Sequence, residues 1–472
     1  MDDRITEINR IILDAAKKAR RETDNEPEPE LTRPADWPMQ CTIGPGLEGA
    51  FACESKIGYV NGAKGWLIYR GYDIFDLCAG ACFEEVCYLL LNGNLPNKSE
   101  LVKYRKKLFN YSHIPKTLRT LMGFPVEKMN TMGALRLGTN MMRQEFTNLD
   151  TGEQEIEPPI PILGSDEDSI AMETVAMGHA RATYEFSRES LRESSNEKNR
   201  KKKKRDIADA SGIEACNHLI AGVSTLVAAI SRIHQNRMPL EPLPDLSLAG
   251  NLLYMFFGER PDPVKEKIMD ICLILHADHG MNASTFATMV VASTLADMYF
   301  SVGAGIGALS GPLHGGANEA AVRMFREIGT PQNVESWLDK KIQTGEKIAG
   351  FGHRVYKSYD PRARILGPLA EFLITDLKEH GALLKTAQEL EKRTIERLGT
   401  KKRIFPNVDF YSGIVYSCLN IEAKFFTPLF AASRVSGWTA RVLEYMVNNR
   451  IFRPRALYTG VFNKVLTPIE DR

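Results

Sequence analysis

Apolar residues recur every three or four positions along most of this chain, which is the spacing of one face of an α-helix. The first such run is formed by Ile5, Ile8, Ile12, Ala15 and Ala19. It predicts one amphipathic helix whose apolar face is a docking surface, with a membrane role less favoured. An acidic, proline-broken linker at Glu26–Glu30 follows the run and predicts that the helix ends there.

Helical patterns dominate from Ile74 to Phe109, with breaks at Gly93 and Pro96, and again from Ile213 onward. In the second region the pattern predicts helices at Leu219–Ile233, Asp245–Phe257, Asp262–Ala277 and Ser284–Ser301. Strand patterns are confined to Lys56–Gly62 and Gly65–Gly71, on either side of an Asn-Gly turn, and predict a small N-terminal β-hairpin. A chain with so little β pattern is predicted to be all-α.

Composition limits the class of protein. The chain has 472 residues with 43% hydrophobic and 25% charged residues, which is ordinary for a soluble globular protein. A formal net charge of +1 argues against a global electrostatic footprint for nucleic acid. The sequence contains no run of 18 apolar residues, so we expect no membrane span. Eight cysteines are scattered without pairs, which fits reduced thiols in the cytosol. The first residues are acidic, unlike those of a transit peptide, which also favours the cytosol.

One long stretch, Thr147–Ser211, differs in composition from the rest of the chain. It begins with an acidic block that contains three prolines and ends near the basic run Lys201–Arg205. Such a run is typical of a solvated loop, although a nuclear import signal or an RNA-binding patch has the same composition. We predict that Thr147–Ser211 is an exposed, partly disordered insertion that the chemistry does not need.

Four motifs between Leu309 and Asp409 place a polar side chain beside glycine or proline. The four side chains are His314 in GPLHGGANE, His353 in GFGHRVYK, Arg362 in DPR and Asp409 in PNVD. Glycine allows positive φ and close approach to a ligand, and loops on a rigid scaffold are where catalytic side chains concentrate. Four such motifs within about one hundred residues of chain predict an active site.

These stretches, together with Leu275–His279 upstream and Ala432–Arg434 and Arg453–Arg455 downstream, resemble the citrate synthase family from about Gly46 to Gly460. The resemblance implies an acyltransferase that converts the acyl group to alkyl on transfer. It implies a Claisen-type condensation of an acyl-CoA with oxaloacetate, then thioester hydrolysis to citrate or a 2-alkylcitrate plus CoA. No cofactor is implied, because the acyl-CoA is a substrate, and the family fold is a two-domain, all-α homodimer.

The residue types fit this chemistry. A partly desolvated carboxylate such as Asp409 can remove the α-proton of the thioester. His314 can donate a hydrogen bond to the thioester oxygen and His353 to the ketone oxygen of oxaloacetate. Three arginines supply the fork-shaped donors that carboxylates bind, namely Arg362, Arg434 and Arg453.

The resemblance assigns the same roles and adds four residues. His279 becomes a further oxaloacetate contact, and Arg453 reaches in from the other subunit, so that the active dimer is obligatory. Arg354 and Lys357 are implied for the phosphates of coenzyme A. Phe430 is implied near the acyl group.

Other interpretations of the same residues are available. His276, Asp278 and His279 could ligate zinc, but neither an HExxH motif nor a cysteine pair supports a metal. Taken singly, Arg434 and Arg453 could form ion pairs at a helix surface, and Asp409 could be a helix N-cap. The run Gly303–Gly311 superficially suggests a nucleotide loop, but close helix packing explains it better. A non-enzymatic scaffold that binds a partner through the basic run is disfavoured, because His314, His353 and Asp409 are all present.

The acyl donor stays open between acetyl-CoA and a longer acyl-CoA, as in 2-methylcitrate or alkylcitrate synthases. Gly280 and Arg441 stand where the resembled family often has glutamate and histidine, and such departures could reshape the acyl pocket. For domain organisation we expect an N-terminal helix and linker at 1–44 and a large helical domain at 45–314, with the insertion at about 147–211. A small domain at 315–424 and a return to the large domain with a C-terminal arm at 425–472 complete the expectation.

Overall fold

The computed structural model describes residues 3–26, 36–146, 198–374, 381–399, 402–463, 466 and 468–471. The helices before residue 147 are α1 (Asp3–Glu22), α2 (Ile74–Gly80), α3 (Phe83–Asn92), α4 (Lys98–Tyr111), α5 (Pro115–Leu121) and α6 (Thr131–Met141). Those after residue 197 begin with α7 (Lys198–His234), α8 (Leu248–Phe257), α9 (Pro263–His276), α10 (Ala283–Ser293), α11 (Met298–Leu309) and α12 (Ala317–Ile328). They end with α13 (Val334–Thr344), α14 (Pro361–Ile374), α15 (Gly381–Thr394), α16 (Val408–Cys418) and α17 (Phe426–Met446).

The remaining regular structure is short. Single helical turns lie at Pro45–Leu47, Val126–Lys128, Met142–Phe146, Pro331–Asn333, Ile395–Gly399, Ala423–Phe425 and Ile469–Asp471. The strands are β1 (Gly58–Asn61), β2 (Trp66–Tyr69) and β3 (Tyr72–Asp73). The predicted all-α class with a small N-terminal sheet is therefore confirmed.

The sheet has one strand more than the sequence predicts. β1 and β2 pair antiparallel with Gly58 opposite Tyr69, and β3 adds to the other edge of β2. Arg70 and Gly71 adopt φ values of 49° and 92°, which fold the chain back at once. β3 is only two residues long, too short to show an alternating pattern.

Two helix boundaries differ from the predicted ones. Ser284–Ser301 is not one helix, because Leu295 takes φ 68° and Asp297 then caps α11 by accepting the Phe300 N–H at 2.9 Å. The helix predicted at Leu219–Ile233 begins earlier, at Lys198. The basic run Lys201–Arg205 is therefore helical and not a loop, while residues 147–197 of the predicted insertion lie outside the described residues.

Helix α1 docks on its own chain. Its buried face consists of Ile8, Ile12, Ala16 and Ala19. This face packs against α2 and α14, and α14 begins with the DPR motif. The predicted amphipathic helix and its docking role are confirmed, and the surface it covers adjoins a candidate site motif.

The core is built around α17, which is buried from Phe426 to Val442 and packs against α7, α9 and α10. In the described part of the chain, Gly212–His234 of α7 is long and apolar enough to cross a membrane by length and composition. However, 94% of its most apolar window is buried inside the protein. That burial favours a core helix over a membrane span.

The glycines of α11 serve helix packing. A Cβ at Gly303 would lie 2.0 Å from Oδ1 of Asn140, and one at Gly305 would lie 2.2 Å from Oγ1 of Thr288. Only glycine permits contacts this close. The packing interpretation of the glycine-rich run is confirmed, and the nucleotide-loop alternative is wrong for it.

Candidate active site

Backbone hydrogen bonds join the His353 loop to the Asp409 loop. The N–H of Gly352 donates to the carbonyl of Phe405 at 2.9 Å, and the N–H of Asn407 donates to the carbonyl of Gly350 at 2.8 Å. Gly350 takes φ 75°, and a Cβ there would lie 2.8 Å from Cα of Phe410. Glycine is therefore required for these loops to meet.

Asp409 lies in the first turn of α16, and Asn407 rather than Asp409 is the N-cap. The Asn407 side chain accepts the N–H of Asp409 at 3.0 Å, so the N-cap interpretation of Asp409 is wrong. The Asp409 carboxylate is therefore not used to cap the helix. Its Oδ1 is buried and has no hydrogen-bond partner within the described residues. Burial raises the pKa of Asp409 to about 7, against the opposing effect of Arg362.

His353 presents a single nitrogen to a ligand. Its Nδ1 accepts the N–H groups of Val355 and Tyr356 at 3.0 and 3.1 Å. A backbone N–H can only donate, so the ring hydrogen of the neutral imidazole is on Nε2. Burial lowers the pKa of His353 to about 4, and the ring is therefore neutral at pH 7.

His314 is held by Ser284 at the start of α10. The Ser284 N–H donates to Nε2 of His314 at 3.3 Å, which places the ring hydrogen on Nδ1. Oγ of Ser284, 2.8 Å from Nε2, can donate to the same nitrogen or to Oδ1 of Asn282 at 2.7 Å. Burial lowers the pKa of His314 to about 4, so His314 is also a neutral donor.

A second histidine packs beside His353. The ring of His279 lies 5.1 Å from that of His353 between centroids, and its Nε2 is 3.2 Å from the hydroxyl of Tyr356. Burial holds the pKa of His279 well below its ordinary value. Tyr356 also belongs to this aromatic group. It was not among the predicted site residues, and its place in the GFGHRVYK motif is the sequence feature that could have indicated it.

Arg362 is tied to a neighbour within its own motif. Its Nε and Nη2 donate to the Asp360 carboxylate at 3.0 and 2.7 Å, and both side chains are buried. Burial acts to lower the pKa of Arg362, but the Asp360 carboxylate beside it raises the pKa overall. Asp360 also accepts the N–H of Val408 at 3.3 Å. Asp360 is therefore a site residue as well, and its place in the DPR motif is the sequence signal for it.

Arg434 is a buried cation that lacks an ion pair with any described residue. The side chain is 1% exposed, its Nε donates to the carbonyl of His276, and its guanidinium lies 4.5 Å from the Phe430 ring centroid. Burial lowers its pKa to about 10. The surface-ion-pair interpretation of Arg434 is wrong, because the group is buried and forms no ion pair in the part of the chain that the structure describes.

The alternative zinc ligands have separate partners. Nδ1 of His276 donates to the carbonyl of Cys272 at 2.7 Å, and His279 contacts Tyr356. Asp278 accepts two hydrogen bonds from Arg441, at 2.6 and 2.7 Å. Among the described residues no group of three or more His, Cys, Asp or Glu side chains is arranged to hold a metal ion.

Three of the sequence-predicted residues lie apart from this buried group. Arg354 and Lys357 are exposed on the segment that follows His353. Arg453 is exposed on the C-terminal segment, with its Nη1 3.5 Å from the carbonyl of Pro454. Phe430, in contrast, is buried and packs 4.6 Å from the His276 ring as well as against Arg434.

Together these groups form a polar site in which Arg362 and Arg434 are buried and His314, His353 and Asp409 are partly buried. Asp409 is a carboxylate whose pKa lies near neutrality, and His314 and His353 are neutral hydrogen-bond donors. Arg362 and Arg434 supply positive charge for an anionic ligand. This arrangement can bind a carboxylate, remove a proton and stabilise negative charge on an oxygen atom.

Comparisons with known proteins agree with this geometry. Residues 46–455 match the family model described as citrate synthase, C-terminal domain. Citrate synthase of Acidithiobacillus ferridurans is 38% identical over 441 residues, covering 91% of this chain and 98% of that protein. A 2-methylcitrate synthase of Shewanella oneidensis is 33% identical over 430 residues, covering 91% and 98%.

A solved structure is also similar. It is the ternary complex of carboxymethyl coenzyme A and oxaloacetate with citrate synthase from Thermoplasma acidophilum. That structure is 32% identical and superposes with a TM-score of 0.74, covering 92% of this chain and all of the other.

Proposed function

Since this chain belongs to the citrate synthase family, we propose that Asp409, His314 and His353 carry out the family's reaction here, with acetyl-CoA as the acyl donor. The protein is an enzyme that condenses an acyl-CoA with oxaloacetate. The observation that supports this assignment best is the Asp409 carboxylate. Its Oδ1 is buried and has no hydrogen-bond partner within the described chain, and desolvation raises its pKa to about 7.

In the proposed reaction Asp409 takes a proton from the α-carbon of the thioester. The electron pair of the broken C–H bond moves to the thioester oxygen, where Nδ1–H of His314 stabilises the negative charge. The α-carbon then forms a bond to the ketone carbon of oxaloacetate. The ketone oxygen gains the electrons of its C=O bond and takes a proton from Nε2 of His353, and the proton that Asp409 removed then restores the neutral His353 ring. Water then cleaves the thioester and releases CoA.

Arg434 and Arg362 hold the carboxylates of oxaloacetate in this proposal. The buried charge of Arg434, which lacks an ion pair among the described residues, favours an anion in its place. Asp360 accepts Nε–H and one N–H of Nη2 of Arg362, so both N–H groups of Nη1 and the second N–H of Nη2 are left for substrate. His279 completes the acceptor site beside His353.

Acetyl-CoA is favoured over a longer acyl-CoA. The sequence alone leaves both donors open. The relative named citrate synthase is 38% identical and the 2-methylcitrate synthase is 33% identical, over nearly the same share of the chain. Phe430 packs tightly against Arg434 and His276, so a bulky acyl group would have to displace a buried ring.

The wider organisation also belongs to the proposal. We expect a homodimer in which Arg453 completes the oxaloacetate site of the other subunit, since Arg453 is exposed and apart from the buried group. We place the small domain at 315–424, with Arg354 and Lys357 on the coenzyme A side. The chemistry needs only two substrates, water and side chains, so no cofactor is included. All eight cysteines are free, which supports the reducing cytosol.

The test is release of free thiol from acyl-CoAs of increasing chain length in the presence of oxaloacetate. We expect the highest kcat/KM with acetyl-CoA and a steep fall with each added carbon. Asp409→Asn is the control that removes enzymatic thiol release but not background hydrolysis. A preference for propionyl-CoA or a longer acyl-CoA would reject acetyl-CoA as the donor. Absence of oxaloacetate-dependent thiol release with every acyl-CoA would reject the assigned reaction.

A further inference from the structure

Glu391 lies outside the catalytic group but touches both segments that carry it. Its Oε1 accepts a hydrogen bond from the hydroxyl of Tyr359, and its Oε2 accepts one from the hydroxyl of Tyr411. Tyr359 directly precedes Asp360 in the chain, and Tyr411 follows Asp409 by two residues. One carboxylate on α15 therefore joins the segment of Arg362 to the segment of the proposed base.

Besides Glu391, the Asp360 carboxylate links the two segments directly, and backbone hydrogen bonds join the loops that precede them. Asp360 accepts the N–H of Val408 at 3.3 Å, which is long for a hydrogen bond of this kind. Glu391 supplies a second polar connection on the far side of the same junction. Together with the packing of α14 against α16, the two polar connections restrict rotation between the segments more than the long hydrogen bond does alone.

Tyr411 and Tyr359 are tightly packed where the two segments meet, so this junction is sensitive to small displacements. The ring of Tyr411 lies so close to α14 that a Cβ at Gly367 would be 3.2 Å from Cε2 of Tyr411. The guanidinium of Arg364 lies over the Tyr359 ring at 4.4 Å and forms an ion pair with Glu22 of α1. Both tyrosine rings are thus packed against neighbouring residues, and their hydroxyls are held by Glu391.

The tyrosines are suited to act as donors. Burial and the Glu391 carboxylate raise the pKa of both Tyr359 and Tyr411 well above the ordinary value. Both hydroxyls therefore keep their protons across the working pH range. Hydrogen bonds from a neutral hydroxyl to a carboxylate are among the stronger ones in proteins.

We propose that Glu391 is a positioning residue, which sets the spacing between the Asp409 base and the Arg362 acceptor site by bridging Tyr411 and Tyr359. This inference rests on the proposed function of Asp409 and Arg362. Small displacements of reacting groups reduce rates strongly: about 1 Å can cost 100-fold. Glu391 would therefore affect the rate through Tyr359 and Tyr411 without touching the substrate.

The test compares Glu391→Ala with Glu389→Ala. Glu389 lies on the same helix, and its carboxylate contacts only Arg393 among the partners the structure gives it, at 2.7 Å. We expect Glu391→Ala to lower kcat about tenfold and to raise the KM for oxaloacetate severalfold, with the KM for acetyl-CoA nearly unchanged. Glu389→Ala should leave all three constants within about twofold of the wild-type values.

Two further variants separate positioning from general loss of structure. Glu391→Gln keeps one donor and one acceptor for the two hydroxyls, so it should recover most of the lost kcat. Tyr411→Phe keeps the ring against Gly367 and removes only the hydroxyl, so it should reproduce part of the Glu391→Ala effect. In Glu391→Ala the acidic limb of the pH–rate profile should move to lower pH, because a looser junction admits water to Asp409.

Crystal structures of the wild type, Glu391→Ala and Glu389→Ala give a readout that does not depend on activity. We expect the distance from Asp360 to the Val408 nitrogen to lengthen in Glu391→Ala alone. An unchanged distance, or kinetic constants that change equally in the two alanine variants, would overturn the positioning role. Failure of the proposed function would instead appear as a wild-type enzyme that releases no thiol, and the structural comparison would still decide the role of Glu391.

Discussion

Arg362 donates two hydrogen bonds, at 3.0 and 2.7 Å, to the carboxylate of Asp360, which precedes it by only two residues. Only Pro361 separates the two side chains, and both are buried. The pair leaves both N–H groups of Nη1 and the second N–H of Nη2 for a ligand, and it fixes the plane of the guanidinium. Arg362 is therefore an oriented donor rather than a freely moving charge.

Arg362→Lys should raise the KM for oxaloacetate by about 10- to 100-fold, because lysine can satisfy either Asp360 or the substrate but not both with fork geometry. Asp360→Asn should give a similar increase, since it frees Arg362 to rotate. Steady-state kinetics at saturating acetyl-CoA measures both values. Arg260→Lys is the matched control, because Arg260 pairs with Asp245 at the exposed surface. Wild-type KM values in both site variants would make the pair purely structural.

Arg434→Lys should weaken oxaloacetate binding by about 1.5–3 kcal/mol, as expected for loss of a charge-assisted hydrogen bond. The variant also loses the hydrogen bond that Nε of Arg434 donates to the carbonyl of His276, because lysine has no nitrogen at that position. Isothermal titration of oxaloacetate without acyl-CoA measures the change directly. Equal affinity in variant and wild type would show that Arg434 holds the core and not the substrate.

Asp409→Asn should abolish exchange of the acyl α-protons with solvent deuterium, measured with an unreactive oxaloacetate mimic bound. The amide has nearly the same size but cannot accept the proton. The variant should also be more stable than the wild type at pH 8. The pKa of Asp409 is raised from 3.8 to about 7, so the folded state disfavours the charged form. Wild-type exchange in the variant would place the base elsewhere.

The size and sign of that stability difference follow from proton linkage. Between pH 3.8 and about 7 the folded state binds more protons at Asp409 than the unfolded state, so stability falls as pH rises through this window. Above pH 7 the cost is constant and on the order of 4 kcal/mol at most. Thermal melts of the wild type and Asp409→Asn at pH 4 and pH 8 should therefore diverge only at the higher pH.

The rate should depend on pH through Asp409 alone in the neutral range. kcat/KM should fall as pH drops below about 7, because the base becomes protonated. His314 and His353 have pKa values lowered to about 4, so both rings stay neutral through this range and contribute no second limb there. A pH–rate profile from pH 5 to 9 checks this. The fall in kcat/KM below pH 7 should persist in His314→Gln and His353→Gln. Its loss on replacing a residue other than Asp409 would contradict the assignment to Asp409.

Arg453→Ala and Asp409→Asn should each be inactive alone and should regain activity when subunits are mixed. In a heterodimer one site would combine an intact Asp409 with the other subunit's intact Arg453, if Arg453 acts across the interface. Mixing after mild dissociation and measuring thiol release tests the exchange. An Arg453→Ala protein with wild-type kinetics would remove Arg453 from the site, and failure to regain activity in verified heterodimers would remove the trans arrangement.

Much of this protein can be recognised from local sequence. The family, the all-α class and the small sheet follow from long ordered motifs and helical periodicity, and all are confirmed. Gly93 ends α3 with φ 90°, as its position after an apolar run predicts. The glycines of α11 could be assigned to packing because a nucleotide loop needs other residues at fixed offsets. Such features depend on a few neighbouring residues, and sequence contains that information directly.

Relationships between distant segments required the folded chain. Glu391 carries no motif of its own, yet folding brings it against Tyr359 and Tyr411, 32 and 20 residues away. The tautomer of His314 depends on Ser284, and that of His353 on two backbone N–H groups. The raised pKa of Asp409 depends on burial, which residue type does not reveal. A side chain's identity states which chemistry is available to it; its desolvation and its partners, which only the packed core supplies, decide which protonation state and which donor the site presents.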